Sequence, residues 1–381
     1  MNDGLITGVC ALYIKKCFDT INHDVLCKKL EYYDFNQNVN WFKSYLSSRG
    51  HKVYCNNECS DIKYVDIGVP QGSVLGPTLF LIYINDITNY LGMANCNLYA
   101  DDVLLYVSGN DINEVNEKLQ TSVNNVKEWY DNNLLVVNAT KSNILMVTTK
   151  QREHFLTDEL EVLFGNEKLQ NMDSCKYLGV HIDKYMSWNQ QIDELSKDLN
   201  AKVWNLSRLR NFLPHNTLLD LYKSLIQPKI DYAITIWGYT SEMNLERIQH
   251  LQNRVARVIF NNFDFVNTRG IDLVYKLGIM NVKQRRDYFM ALLMYKSIHG
   301  LAPNYLCNEI TMEIEVANRT SRHMNENDVH VPDAHLEITK NGFSCKGPNI
   351  WNKLPNFIKE CTSLTTFKVK AKKHFIHTQP L

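Results

Sequence analysis

Two adjacent carboxylates, Asp101 and Asp102, sit inside "CNLYADDVLLYVSG" (96–109), a stretch otherwise dominated by apolar, aromatic and β-branched residues. Neighbouring side chains on a straight strand point to opposite faces, so both can serve one site only if the chain bends at them. A hairpin tip provides that bend. Two negative charges this close repel unless a cation neutralises them, and hard divalent cations prefer carboxylate oxygen. Two-metal phosphoryl transfer needs such a cluster, with ions about 3.5–4 Å apart bridging the attacking and leaving oxygens. Asx hydrogen bonds within a simple turn would explain the same pair, and the two residue types alone leave both readings open.

The elements around the pair follow from pattern. An apolar run at 8–14 reads as a buried strand, and Asn22 or Asp24 can cap a helix whose apolar face is Val25, Leu26 and Leu30. "NWFKSYLSS" reads as a second helix, and the alternation through 51–69 turns at Asn56-Asn57 like a hairpin. "GVPQGSVLGP" breaks regular structure before the helix "PTLFLIYINDITNYL", whose first turn suits Pro77. A long helix near 111–132 precedes short strands in "LLVVN", "SNILMVTT" and "KYLGVHI". This order predicts an antiparallel sheet with helices on one face. From about residue 190, four segments with helical apolar spacing are separated by Pro, Gly and Asn, and a loop-rich tail begins near 311.

A chain of 381 residues with 45% hydrophobic content has room for two or three domains. Net charge is zero, but residues 1–150 carry 12 basic and 16 acidic side chains, leaving 29 and 25 for the rest. The asymmetry is weak and excludes neither nucleic acid nor protein partners. The ten cysteines are scattered, and the Cys55/Cys59 pair lacks a second ligand pair at zinc spacing, which points to free thiols in the cytoplasm or nucleus. "GLITGVCALYI" follows Asp3 with no preceding Lys or Arg, and "VLGPTLFLIYI" is too short to span a bilayer. Neither reads as a signal peptide or a membrane segment.

Beyond these patterns, the sequence resembles the reverse transcriptases of non-LTR (LINE, jockey-like) retrotransposons. "YADD" (99–102) is similar to the family's catalytic hairpin, and "GVPQGSVLGPTLFLIYINDI" (68–87) to its template-gripping segment. "CFDTINHDVL" (17–26) resembles the end of the first palm motif, while "NLLVVNATKS" and "KYLGVHID" resemble later ones in the same order. The likeness extends through a thumb-like "LRNFLPHNTLLDLYKSLIQPKIDYAITIWG" to "GPNIWNKLPNFIKECTSLTTFKVKAKKHF" near the end. It implies an α+β fold: a truncated polymerase palm over 1–188, a helical thumb-like region over 189–262, and a helical, loop-rich region over 263–381.

Carried over position by position, the resemblance implies that Asp101 and Asp102 form the catalytic, metal-binding acidic site, with Mg2+ or Mn2+ as cofactor. It places Phe18 beneath the incoming sugar, Gln71 and Gly72 near template and nucleotide, and Lys141 near the departing pyrophosphate. The residues by themselves allow plainer readings: a core aromatic, a Gly-rich turn and a solvated lysine. The implied partners are an RNA template, a DNA primer and deoxynucleoside triphosphates.

One position departs from the family pattern. Counting back from Phe18 and Asp19, Cys17 takes the place of an alanine and Tyr13 that of a metal-ligand aspartate. A phenol with a pKa near 10 is neutral at physiological pH and cannot replace a charged ligand of a hard cation. Asp19 does not replace it, because the family carries an acidic residue there as well. The resemblance also implies a fingers region ahead of this strand, for which a chain starting at Met1 leaves no room, and no endonuclease domain or Cys/His knuckle is present. The expectation is a retrotransposon-derived reverse transcriptase, impaired in activity; the alternatives are a residual primer-template-binding module that uses Arg208, Arg210, Arg247, Arg254 and Arg257, or a non-functional remnant that folds poorly.

Overall fold

The computed structural model describes residues 4–156, 158–316 and 325–378, so Met1, Asp3 and parts of the expected tail lie outside the described residues. The chain forms two compact units. One runs to Gly179 and takes in Asp183–Tyr185; the other comprises Val180–Ile182 and the chain from Met186 onward.

The first unit is built on β1 (Ile6–Tyr13), whose alternate residues Ile6, Cys10 and Leu12 are fully buried. Chain order then brings α1 (His23–Tyr32), α2 (Val39–Leu46), β2 (Arg49–His51), β3 (Lys63–Val65) and α3 (Leu75–Ile84). β4 (Asn95–Tyr99), β5 (Asp102–Gly109), α4 (Ile112–Asn132), β6 (Asn143–Val147) and β7 (Gln170–Asn171) complete the frame. The five-stranded sheet has the order β7-β6-β1-β5-β4. Neighbours run antiparallel except β7 on β6, which is parallel and corrects the all-antiparallel expectation. Short edge strand β7 reaches β6 after a long excursion, a connection that fixes no hairpin direction.

Helix α4 covers the face bearing Gly8, where a Cβ would lie 2.5 Å from Val115 Cγ1. Only hydrogen at that position lets helix and sheet close. On the other face Thr7, Val9 and Tyr13 are only half-buried. Asn22, not Asp24, caps α1, its side chain accepting from the N–H groups of Asp24 and Val25. Asn56 and Asn57 turn the small hairpin with φ of 50° and 66°, the left-handed pair that a two-residue turn requires. "LLVVN" contributes one isolated bridge, Ile14 to Val137, in place of the expected strand.

The second unit is helical. α5 (Asn189–Leu209), α6 (His215–Leu221), α7 (Glu242–Phe260) and α8 (Val282–Ile298) are its main early elements. The expected single helix through "NTLLDLYKSLIQPKI" breaks into α6, one π turn at Tyr222–Ile226 and a short helix at Gln227–Asp231. Among the described residues of the later part, 325–336 is loop and helices prevail from 337 onward. α9 (Phe343–Asn352) and α10 (Leu364–His377) place Trp351 and Phe367, with Ile358 of the short helix Asn356–Lys359 between them, in a core with Met294 and Tyr295 of α8. Sequence windows missed this because the apolar residues there are sparse and Pro348 sits inside a helix. Among the described residues no helix is long and apolar enough to cross a membrane.

Candidate active site of the palm-like unit

β4 and β5 form the hairpin expected around the paired aspartates, with Tyr99 opposite Asp102 and Ala100 and Asp101 at the tip. Ala100 takes φ 51°, a left-handed conformation that costs a non-glycine residue about 1–3 kcal/mol. The bend separates the two carboxylates from a plain strand alternation. It leaves Asp102 on the half-buried face of the sheet and swings Asp101 toward the chain after β1.

The neighbours of each aspartate are defined. Asp101 accepts a hydrogen bond from the Cys17 thiol, whose pKa is pushed up to about 12 by burial and then by the Asp101 charge and hydrogen bond. Asp102 pairs in register with Tyr13 across β5 and β1. Its carboxyl is pushed above the ordinary carboxylate value, by burial first and by Asp101 second. The Tyr13 phenol is raised by burial, then by the charge on Asp102, and Tyr177 is raised in the same order. Tyr13 is therefore a neutral donor, and its hydroxyl donates to the Lys176 carbonyl at 3.0 Å.

Backbone contacts draw the remaining sequence candidates toward this pair to different degrees. The Tyr13 N–H donates to Ser142 Oγ at 3.2 Å and its carbonyl accepts from the Asn138 N–H at 2.7 Å. Lys141 occupies the turn between those two residues, exposed, so the structure places its backbone beside Tyr13. Phe18 is half-buried and packs on Phe80 with ring centroids 5.1 Å apart. That contact agrees with the plainer core reading and leaves part of the ring accessible. Gln71 donates from Nε2 to Asp19 Oδ1 at 2.8 Å, clipping the "PQG" turn to the segment after β1.

Gly72 has φ +81°, a left-handed conformation that favours glycine, and no protein atom lies within 4 Å of where a Cβ would stand. Gly68 is the close-approach position: φ is +75° and a Cβ would sit 2.8 Å from the Asp19 backbone. Sequence reasoning missed it, and missed Arg49, whose guanidinium donates to the carbonyls of Leu46, Ile67 and Gly68. The "GVPQG" spacing carried a signal for Gly68, whereas nothing local marked Arg49. Asp19, Arg49, His51, Gly68 and Gln71 line a cavity of about 830 Å3, within the size range of small-ligand sites.

The donor set can be tested against a metal. Among the described residues no group of three or more His, Cys, Asp or Glu side chains gathers to hold an ion. Asp101 and Asp102 could supply two carboxylates to one hard cation completed by water and phosphate oxygens. They do not fit a bridged pair of ions, because the position opposite Asp102 carries a phenol already committed to a carbonyl.

Comparison with known proteins extends this geometry. Residues 3–182 match the family model described as reverse transcriptase (RNA-dependent DNA polymerase). The chain is 29% identical over 288 residues to the RNA-directed DNA polymerase from mobile element jockey of Drosophila funebris, covering 73% of this chain and 31% of that protein. It is 30% identical over 275 residues to the probable RNA-directed DNA polymerase from transposon X-element of Drosophila melanogaster, covering 70% and 30%. The chain thus spans about a third of the length of the curated relatives it matches. Among solved structures it is similar to telomerase from Candida tropicalis in complex with a telomeric RNA fragment, at 13% identity and a TM-score of 0.34 over 71% of this chain and 49% of that one. That score is too low to support the fold assignment.

Proposed function

Residues 3–182 belong to the reverse transcriptase family, of the non-LTR retrotransposon type, and from that premise we propose that this chain carries a palm for RNA-templated DNA synthesis whose chemistry is impaired at one ligand position. The observation that carries the reading is the register pair Tyr13–Asp102, which sets a neutral phenol where a third carboxylate would complete the acidic cluster. Asp101 and Asp102 are the proposed catalytic and metal-binding residues, with Mg2+ or Mn2+ as the proposed ion. A divalent ion in such a site supplies charge stabilisation at the transferring phosphoryl group. No step is assigned through an ion pair, because the donor set does not fit one.

The chain's own residues retain recognisable tasks under this proposal. Gln71, held by Asp19, and the Gly72 turn shape the template and nucleotide side. Phe18, braced by Phe80, presents its accessible edge toward the sugar, and Lys141 offers a cation for the departing pyrophosphate. An RNA template, a DNA primer and deoxynucleoside triphosphates are the proposed partners, and 1–188, 189–262 and 263–381 the proposed palm, thumb-like and carboxyl-terminal regions. A missing ligand that removes about 4 kcal/mol of transition-state stabilisation slows the reaction roughly 10³-fold.

Primer extension on an RNA template with Mg2+ or Mn2+ tests the reading. The natural chain should extend poorly, and Asp101→Ala should abolish what remains. Efficient extension by the natural chain would refute the impairment; residual extension that survives Asp101→Ala would refute the assignment of the site.

A further inference from the structure

Several arginines expected to face a ligand are committed elsewhere: Arg247 to Asp193, Arg254 to Asn200, and Arg257, itself buried, to the carbonyls of Asp264 and Thr268. A cation with no such partner among the described residues is Lys28 of α1, in the palm-like unit. It borders a cavity of about 500 Å3 lined without the acidic hairpin, within the size range of small-ligand sites.

The cavity follows from helical spacing. Val25, Lys28, Lys29, Tyr32 and Tyr33 recur three to four residues apart, so one stripe of α1 and its carboxyl-terminal end face the 3-10 helix Asn85–Tyr90. An ion pair fixes the two elements. Lys29 Nζ donates to Asp86 Oδ1 and to the Tyr83 carbonyl, both at 2.6 Å, and Trp129 Nε1 donates to the same Asp86 oxygen at 3.2 Å. Asp86 therefore turns toward α1 and α4, although it closes the segment whose likeness is to a template grip. Its Oδ2 receives no donor from the described residues. Asn85 Nδ2 donates to the Tyr33 hydroxyl at 3.0 Å, which leaves Asn85 Oδ1 as a second open acceptor. Tyr32, 80% exposed, and Tyr90, 37% exposed, line the same space with their rings.

Charge and hydrogen bonding select the ligand. Lys29 and Asp86 cancel, so Lys28 leaves the lining with one net positive charge, enough for one anionic group. The open acceptors call for N–H donors that are neutral, because an ammonium there would stand beside Lys29. Flat rings suit a base, which can stack on them while its edge is read by hydrogen bonds. Guanine presents N1–H and N2–H side by side; adenine offers an amino group next to an acceptor nitrogen. Inorganic phosphate would use Lys28 and leave both acceptors and the rings unmatched.

We infer that this cavity binds a guanosine monophosphate, its base against Tyr32 and its N–H edge on Asp86 and Asn85, with the phosphate at Lys28. The site needs neither the acidic hairpin nor a divalent ion, so failure of primer extension leaves it standing. Isothermal titration of the full chain in EDTA with guanosine 5′-monophosphate, adenosine 5′-monophosphate and guanosine tests it. The guanine nucleotide should bind about 10- to 150-fold more tightly than the adenine one, the range for one hydrogen bond to a charged group. Tyr32→Ala should weaken it about 5- to 150-fold, the loss expected on removing a stacked base, and Tyr32→Phe should restore it. Lys28→Ala should bring the nucleotide down to the affinity of guanosine and leave guanosine itself unchanged. Circular dichroism should show these exposed-site variants folded as the natural chain is. No binding of the guanine nucleotide in EDTA, equal binding of the adenine nucleotide, or an unaltered Tyr32→Ala would overturn the inference.

Discussion

Replacing Tyr13 by aspartate converts the register pair Tyr13–Asp102 into two facing carboxylates, and the consequences can be worked from the sheet. Facing side chains of an antiparallel pair have Cβ atoms about 5 Å apart. Two unit charges at that distance repel by roughly 3 kcal/mol at an effective dielectric of about 20. The variant also loses the phenol's hydrogen bond to the Lys176 carbonyl, worth about 1 kcal/mol. Because the site is half-exposed, salt screens part of the repulsion, so Tyr13→Asp should lose about 1–3 kcal/mol without divalent ions. Binding an ion at one hundred times its Kd should restore about 2.7 kcal/mol. The pH dependence has a definite sign. The Asp102 carboxyl is already raised by burial and by Asp101, and an aspartate at 13 joins the same cluster, so the folded pKa of the new group also lies above its unfolded value. The penalty is therefore full at neutral pH, shrinks as pH falls through the folded pKa, and is gone below the unfolded one. Urea unfolding at fixed ionic strength, with and without Mg2+ or Mn2+, reads both effects. A natural chain that gains as much from the ion as the variant does would refute the claim that residue 13 is the missing ligand.

Two further outcomes follow from buried groups. Arg285 forks onto Asp231 in the helical unit with both side chains largely buried, so Arg285→Ala should cost about 3–5 kcal/mol in chemical denaturation by stranding a buried carboxylate. In thiol alkylation at mild pH, exposed Cys55 and Cys59 should react first; Cys10 and Cys17, both buried and pushed up to about 12, should stay unmodified until the chain unfolds, as peptide mass spectrometry would show.

Much of the palm-like unit was legible locally. The apolar run at 8–14, the Asn22 cap, the Asn56-Asn57 turn and the 111–132 helix rely on signals contained within a few residues, and each has its counterpart in the structure. Where contacts are remote, the pattern was silent. The parallel edge of β7, the fastening of Gln71 to Asp19 and the Arg49 fork each join residues distant in the chain. The core of the later helices was not legible for a related reason, since Trp351 and Phe367 acquire it only once α8 is beside them.

What the sequence determined by itself is the chemistry on offer: two adjacent carboxylates in a hairpin, a phenol four residues before Cys17, and lysines and tyrosines at helical spacing between Lys28 and Tyr33. Residue types and short spacings carry that much because they do not depend on distant contacts. Only the tertiary structure decided which of those groups meet. Pairing of β1 with β5 set Tyr13 against Asp102, and packing of α1 beside the segment after α3 brought Lys29 to Asp86. Strand register and helix placement arise from burial of whole faces, summed over many residues, so no local window contains them.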